Sequence, residues 1–411
     1  MTDRKAPALM IWALGATQII GYGTLYYSFS ILAPAMAQDL SLPLDWLFGI
    51  LSLALLTGGL LAPQAGKWAD RYGAGRLMVP GSIAAAVSLA CAAFSSHPVT
   101  FTLSLVVMEL ASCFVLYGTA FAAIVQVGGS RAPASITHLT LIAGFASTLF
   151  WPLTAALHAH FDWRVIYLLF AVLNLGLCLP IHWWIGRLPR QTEPAPPSPR
   201  PVSEASQPLP AGPAVSSQSI FLLMLAGFAV EGFVLASILV HMVPLLGALG
   251  VGASALMVSA LFGPSQVASR LLNMVFGGRL SQTVLATISA GLLALALVAL
   301  LSTTPWLPGL ALFAILFGLG SGLASIVGGT LPLELFGRAG YGARLGWVTA
   351  ARQFSSALAP FLFAVGLETA GPERAVTLTV VCAGVAVVLF GLIVLQRYRP
   401  TVAPLEATTD P

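Results

Sequence analysis

Four ionisable side chains stand deep inside apolar runs of this sequence: Glu109, Glu231, Arg270 and Arg352. Placing a guanidinium in hydrocarbon costs at least about 2.5 kcal/mol even on insertion scales. Two kinds of chemistry could justify that cost. The carboxylates and guanidiniums could neutralise one another and lock helices together. Alternatively, they could line a cavity. Desolvation disfavours the charged form of a carboxyl, so a buried one can load and release a proton. An arginine cannot usefully lose its proton, and can only hold an anion or a carboxylate. Glu231 or Glu109 is then the expected proton site, and Arg270 or Arg352 the anion or switch partner. Gln266 precedes Arg270 by four residues and shares its helix face. In "TQIIGYGTLYYSFS", Gln18, Tyr22 and Tyr26 recur at i, i+4 and i+8, with Gly21 and Gly23 beside them. They form either a polar stripe on a cavity or part of an interfacial aromatic belt. Asn273 and Gln353 are weaker candidates, and His138 reads as a satisfied packing residue.

The elements that must hold these groups are membrane helices. The chain has 411 residues, 58% of them hydrophobic and only 8% charged. A soluble domain carries roughly 25% charged residues, so this chain could not cover itself in water. Apolar runs of about 20 residues interspersed with Gly, Ser and Ala match helices rather than barrel strands. They fall at 8–36, 45–66, 76–96, 99–127, 135–158, 163–185, 219–243, 254–276, 283–302, 306–330, 343–366 and 374–396. The expected fold is all-α: twelve spans in two six-helix bundles, residues 1–186 and 219–411. Between them, 187–218 is rich in Pro, Ser and Ala and reads as a disordered cytoplasmic linker. The first run is too long for a cleavable signal. Arg270 lies eight residues before Gly278, roughly 12 Å up a helix at about 1.5 Å per residue, well inside a core of about 30 Å.

Basic residues set the orientation. With both termini cytoplasmic, the cytoplasmic segments hold Arg4, Lys5, Lys67, Arg71, Arg76, Arg131, Arg187, Arg190, Arg200, Arg279, Arg338, Arg344, Arg397 and Arg399. The outer loops hold Arg164 and Arg374. The net charge of +4 therefore belongs to membrane insertion, and no basic, aromatic-interleaved patch points to nucleic acid. Cys91, Cys113, Cys178 and Cys382 have no CxxC or metal-ligand spacing and read as small apolar residues.

Between spans 2 and 3 stands "GKWADRYGAGR". Gly66 and Gly73 permit close approach and positive φ. Asp70 can meet the positive end of a helix, and Arg71 a negative end or a carboxylate. The loop resembles the G-x-x-x-D-R-x-G-[RK]-[RK] signature of the major facilitator superfamily, matched here by Gly66, Asp70, Arg71 and Gly73. Ala74 and Gly75 stand where basic residues are usual. "DWR" (Asp162, Trp163, Arg164) before span 6 is similar to the family's turn there. The resemblance implies two bundles that rock around a central cavity, with a site near the membrane midplane. It implies that Asp70 braces the start of span 11 near Gly342–Leu345. The second-half loop around Gly277–Arg279 has no acidic residue. Glu109 replaces the family's usual arginine in span 4, and "FWPLT", with Trp151 and Pro152, replaces the antiporters' Gly-Pro pair.

Span 8 resembles that of monocarboxylate porters, in which an aspartate stands four residues before a substrate-binding arginine. Gln266 takes the aspartate's place, and the arginine role carries to Arg270. "GYGTLYYSFSILAP" resembles a bacterial branch that includes arsenite-efflux carriers. The expected function is therefore alternating-access transport of a small solute across the inner membrane, coupled to protons, with a small organic anion favoured. Efflux of arsenite or drug-like compounds is the alternative, and a non-transporting sensor is the rival of another class. No Walker A loop, HExxH or GxSxG occurs, so neither an ATP-driven pump nor an enzyme is expected. The expected partners are a small-molecule substrate, protons and the bilayer. No cofactor and no nucleic acid are expected, and the chain is read as a monomer.

Overall fold

The computed structural model describes residues 8–190, 217–277 and 280–397. Most of the linker lies outside them. So do Gly278 and Arg279 of the second-half loop. Among the described residues the chain is helical with no strand. The first bundle comprises α1 (Ala8–Asp39), α2 (Leu44–Trp68), α3 (Ala74–Phe94), α4 (Pro98–Gly128), α5 (Ala132–His158) and α6 (Trp163–Gly186). The second comprises α7 (Ser217–Ala248), α8 (Ala255–Ala260 and Phe262–Phe276), α9 (Gln282–Thr303), α10 (Leu307–Phe336), α11 (Tyr341–Ala370) and α12 (Pro372–Arg397). The twelve helices match the twelve apolar runs. α10 and α11 run longer than those runs, α10 reaching Phe336 and α11 beginning at Tyr341.

Local chemistry sets the turns. The chain reverses after α2 at Gly73, whose φ of +100° is open to glycine without a Cβ penalty. Pro98 occupies the first turn of α4, where its missing N–H costs nothing. Asp162 caps α6 and Ser281 caps α9. Trp163 donates from Nε1 to Asp39, and Arg164 makes an ion pair with Asp39 at 2.7 Å and bonds to the carbonyls of Ala93 and Ser95. The DWR turn thus ties the ends of α1 and α3 to the start of α6.

Large apolar side chains such as Trp12, Leu60, Phe94, Leu103, Val172, Leu295, Leu378 and Leu395 face outward. Such a continuous apolar exterior requires lipid. Inside, one buried cluster belongs wholly to the first bundle, including Phe29, Phe101, Trp163 and Phe170. Another, with Ile238, Phe313, Phe317 and Phe363, belongs wholly to the second. A third contains residues of both: Met10, Leu14, Phe121 and Ile136 with Leu333, Tyr341 and Leu345. The bundles are therefore welded at the end that carries the start of α1, the α2–α3 turn and the start of α11.

Several helices are interrupted at mid-span. α1 widens to a π turn over Gly23–Tyr27, α4 breaks at Leu116, α5 at Gly144–Phe145 and α8 at Leu261. Backbone groups freed inside a membrane must find internal partners. At the α4 break, Gln18 donates to the Val115 carbonyl at 2.7 Å and Thr119 to the Cys113 carbonyl at 2.7 Å.

Candidate functional site

The four intramembrane ionisable residues lie inside the bundles without pairing. Neither Arg270 nor Arg352 forms an ion pair with a carboxylate among the described residues; the pairs found are Arg164–Asp39 and Arg397–Glu334. Of the two readings that the sequence leaves open, mutual ion pairing is not seen among the described residues. The cause is placement on different faces: Glu109 turns to the α2–α11 crossing and Glu231 into the interior of the second bundle.

Arg270 is 5% exposed and reaches across the molecule. Its Nε donates to Ser325 Oγ of α10 at 3.2 Å, and its Nη1 donates to the Thr140 carbonyl of α5 at 3.1 Å. The guanidinium passes close over Gly144, where a Cβ would lie 1.9 Å from Nη1 and would make the arginine end shift. Gln266, one turn before Arg270, faces the same helix and donates to Ser321 Oγ of α10 at 2.9 Å, one turn before Ser325.

Arg352 is half-buried and makes no hydrogen bond among the described residues. It lies against α10, where a Cβ at Gly328 would come within 2.8 Å of its Nη1.

Glu231 is 1% exposed. Ser289 Oγ of α9 lies 2.7 Å from Glu231 Oε1 and 3.0 Å from the Gly320 carbonyl of α10. A hydroxyl carries one proton. Both contacts are hydrogen bonds at once only when Glu231 carries a proton and donates it to Ser289, which donates in turn to Gly320. Glu231 Oε2 has no hydrogen-bond partner.

Glu109 is buried near α2 and α11. A Cβ at Gly58 would stand 3.4 Å from its Oε2 and 3.5 Å from Gln353 Nε2. Glu109 makes no side-chain hydrogen bond among the described residues, and Gln353 Oε1 is likewise buried without a partner. Cys113, one turn on, donates to the Gly58 carbonyl.

The stripe on α1 is rearranged. Gln18 is fully buried against α4, Tyr22 is half-buried and Tyr26 is 44% exposed. A π turn bonds i to i+5 rather than i+4. Tyr22 therefore meets Tyr27, with ring centroids 6.3 Å apart, and not Tyr26. Tyr27 packs edge-on against Trp151 of α5 at 5.9 Å, Tyr22 meets Tyr117 of α4 at 4.9 Å, and Tyr26 meets Tyr27 at 5.4 Å. Tyr27, Tyr117, Trp151, Ser289 and Thr140 are absent from the residues chosen on sequence. Only the adjacent Tyr26–Tyr27 pair offered a signal. The rest depends on helix breaks. His138 is exposed rather than packed.

At the welded end, Asp70 Oδ1 accepts from Gly342 N at 2.8 Å and Oδ2 from Ala343 N at 2.9 Å. A carboxylate of the first bundle thus caps the first turn of α11 in the second. Gly66 permits the approach, since a Cβ there would lie 2.0 Å from the Gly342 carbonyl. Arg338 adds a bond to the Val125 carbonyl at 2.8 Å. Arg71 lies over the Tyr72 ring and pairs with no carboxylate among the described residues.

The second bundle has a counterpart within itself. Glu334 of α10 accepts from Gln282 N, the first N–H of α9, at 2.6 Å, and pairs with Arg397. In the first bundle Gln126 of α4 accepts from Ala74 N, the first N–H of α3, at 3.0 Å. Glu334 on α10 thus does for α9 what Gln126 on α4 does for α3, and the two halves repeat one capping plan.

Solved structures share this architecture. A human organic anion transporter, MFSD10 (TETRAN), aligns with 94% of this chain and 100% of its own at 16% identity and a TM-score of 0.69. FucP, a major facilitator transporter solved in the outward conformation, aligns with 93% of this chain and 98% of its own at 14% identity and a TM-score of 0.67. The proton:xylose symporter XylE, bound to 6-bromo-6-deoxy-D-glucose, aligns with 94% and 96% at 13% identity and a TM-score of 0.65. No curated protein matches the sequence. A sequence model of the Major Facilitator Superfamily matches residues 14–360. The chain belongs to the major facilitator superfamily, a family of multi-pass membrane transporters rather than enzymes.

Proposed function

We propose that this transporter carries a small organic anion across the inner membrane by alternating access, coupled to protons. The observation that supports this reading best is the pair of mid-membrane arginines, on α8 and α11, that have no carboxylate partner among the described residues. A desolvated guanidinium without a counter-charge is costly, and a bound anion would offset that cost. The proton count at Ser289 supports Glu231 as the coupling group, because its hydrogen-bond chain closes only in the neutral form. Asp70 would hold the cavity closed on the side of the chain termini until substrate and proton change the balance.

The test is uptake into proteoliposomes under an imposed pH gradient, with a panel of monocarboxylates and arsenite. The expected result is gradient-stimulated uptake of at least one carboxylate. Uptake stimulated by neither the gradient nor any anion would sink the proposal, and selective movement of arsenite would replace the anion by the neutral trihydroxy species.

A further inference from the structure

We infer that Ser325 of α10 is a positioning residue for the anion site: it holds the Arg270 guanidinium by one nitrogen and leaves the other two to a carboxylate. The inference rests on the anion reading above and names a further residue of that same site. The run "FGLGSGLAS" on α10, Phe317 to Ser325, carries two pairs of small residues spaced i and i+4. The glycine pair sets how closely α8 approaches. A Cβ at Gly318 would lie 2.6 Å from the Phe262 carbonyl oxygen, and one at Gly322 would lie 2.5 Å from the Gln266 carbonyl oxygen. Both obstacles are backbone, so the two helices meet main chain to main chain in a fixed register. In that register the serine pair, Ser321 and Ser325, faces Gln266 and Arg270, which share the same spacing on α8.

The proton of Ser325 fixes its part in the contact. Its Oγ donates to the Gly322 carbonyl at 2.7 Å. A hydroxyl carries one proton, so toward Arg270 it can only accept, and it takes the single N–H of Nε at 3.2 Å. A guanidinium has five N–H donors. Nη1 spends one on the Thr140 carbonyl, and Nη2 spends none among the described residues. The unspent donors therefore lie on Nη1 and Nη2, a pair that can meet both oxygens of one carboxylate. Ser325 and Arg270 belong to the same bundle, and Thr140 belongs to the other. A rock of one bundle against the other parts the Thr140 bond and keeps the Ser325 bond. Ser325 is thus the partner that orients the fork on both sides of the transport cycle.

The test is uptake of labelled acetate, lactate and benzoate by the full chain in proteoliposomes, read as KM and maximal rate. Ser325→Ala should raise the KM of a transported acid about tenfold, as expected for one lost hydrogen bond to a charged group, and leave the maximal rate within about twofold. Ser325→Cys keeps the volume but accepts weakly, and should behave as Ser325→Ala. Ser325→Thr keeps the hydroxyl and should keep the wild-type KM. Ser265→Ala is the packing control: Ser265 lies on the same α8–α10 contact, but its hydroxyl is spent on the Leu261 carbonyl of its own helix. It should leave the KM unchanged. A wild-type KM in both Ser325→Ala and Ser325→Cys would overturn the positioning role and leave the anion reading standing. So would a fall in maximal rate at constant KM, alike in Ser265→Ala and Ser325→Ala, which reduces Ser325 to helix packing. If Ser325→Ala does not fold, the contrast between the cysteine and threonine variants decides. No uptake of any of the three acids, by a wild-type chain that unfolds cooperatively on heating, would overturn both readings.

Discussion

At the scale of single residues, Arg270 and Glu231 are each fixed by a geometry that suggests its own test. Arg270 spans the bundles with two nitrogens of one rigid fork, bonding to Ser325 on one side and the Thr140 carbonyl on the other. Lysine keeps the charge but offers one compact ammonium. Arg270→Lys should therefore lower transport at least tenfold, with the protein still folded, because losing one charged hydrogen bond is worth roughly 1.5–3 kcal/mol. Unchanged uptake would reduce Arg270 to a bulk positive charge. Glu231 tests differently. Glutamine matches the neutral acid in shape and can donate from Nε2 to Ser289, preserving the chain to Gly320. Glu231→Gln should fold normally, abolish uptake driven by the pH gradient, and leave exchange of labelled for unlabelled substrate. If gradient-driven uptake survives in Glu231→Gln, the proton travels elsewhere, and Glu109 becomes the next group to replace.

At the scale of elements, α2 and α11 pack backbone to backbone between the bundles. Their backbones touch at two places: Gly66 against Gly342, and Gly346 against the Ala62 carbonyl, where a Cβ would lie 2.3 Å away. Both obstacles are backbone atoms, so no side-chain rotation relieves them. Gly346→Ala should push the helices apart at the welded end and favour the opposite conformation. Asp70→Asn should act in the same direction by removing a charged cap from α11, a loss of about 1–2 kcal/mol, or roughly a 5- to 30-fold population change. A spin-label distance across this end should lengthen in both variants; no change would relieve Asp70 of its bracing role. These elements also show what the sequence can reveal. The spans, their twofold grouping and the Asp70 loop are legible because hydrophobic length and loop charge are local properties. The interruptions at Gly23–Tyr27, Leu116 and Gly144 are not. Leu116 has no breaker chemistry, and its break survives because Gln18, 97 residues away from the Val115 carbonyl it satisfies, supplies the missing bond. The register of the tyrosine stripe is hidden for the same reason, since the π turn shifts the spacing that an i, i+4 reading assumes.

At the scale of the whole molecule, the separate cores give the motion its direction. The cluster shared by both bundles lies at the terminus end; each bundle keeps a core of its own at the other, and the second bundle has a further one of its own around Phe228 and Phe390. A rigid rock of one bundle against the other would therefore expose the shared cluster while leaving the private cores intact. Its apolar residues would meet water only in that second state. Two thiols, placed one at a time in a chain freed of Cys91, Cys113, Cys178 and Cys382, can separate this motion from local fraying. Leu345→Cys replaces a side chain of the shared cluster that is 4% exposed, whereas Tyr26→Cys replaces one beside Tyr27 that is 44% exposed. In the present conformation an impermeant maleimide should label the second position quickly and the first slowly. Adding Asp70→Asn should reverse the ranking, speeding Leu345→Cys and slowing Tyr26→Cys. The reciprocal change is the signature of bundles that move as bodies. If labelling at Leu345→Cys rises while Tyr26→Cys keeps its rate, the loss of Asp70 has frayed the end of α11 without rocking the molecule, and alternating access would need a different hinge.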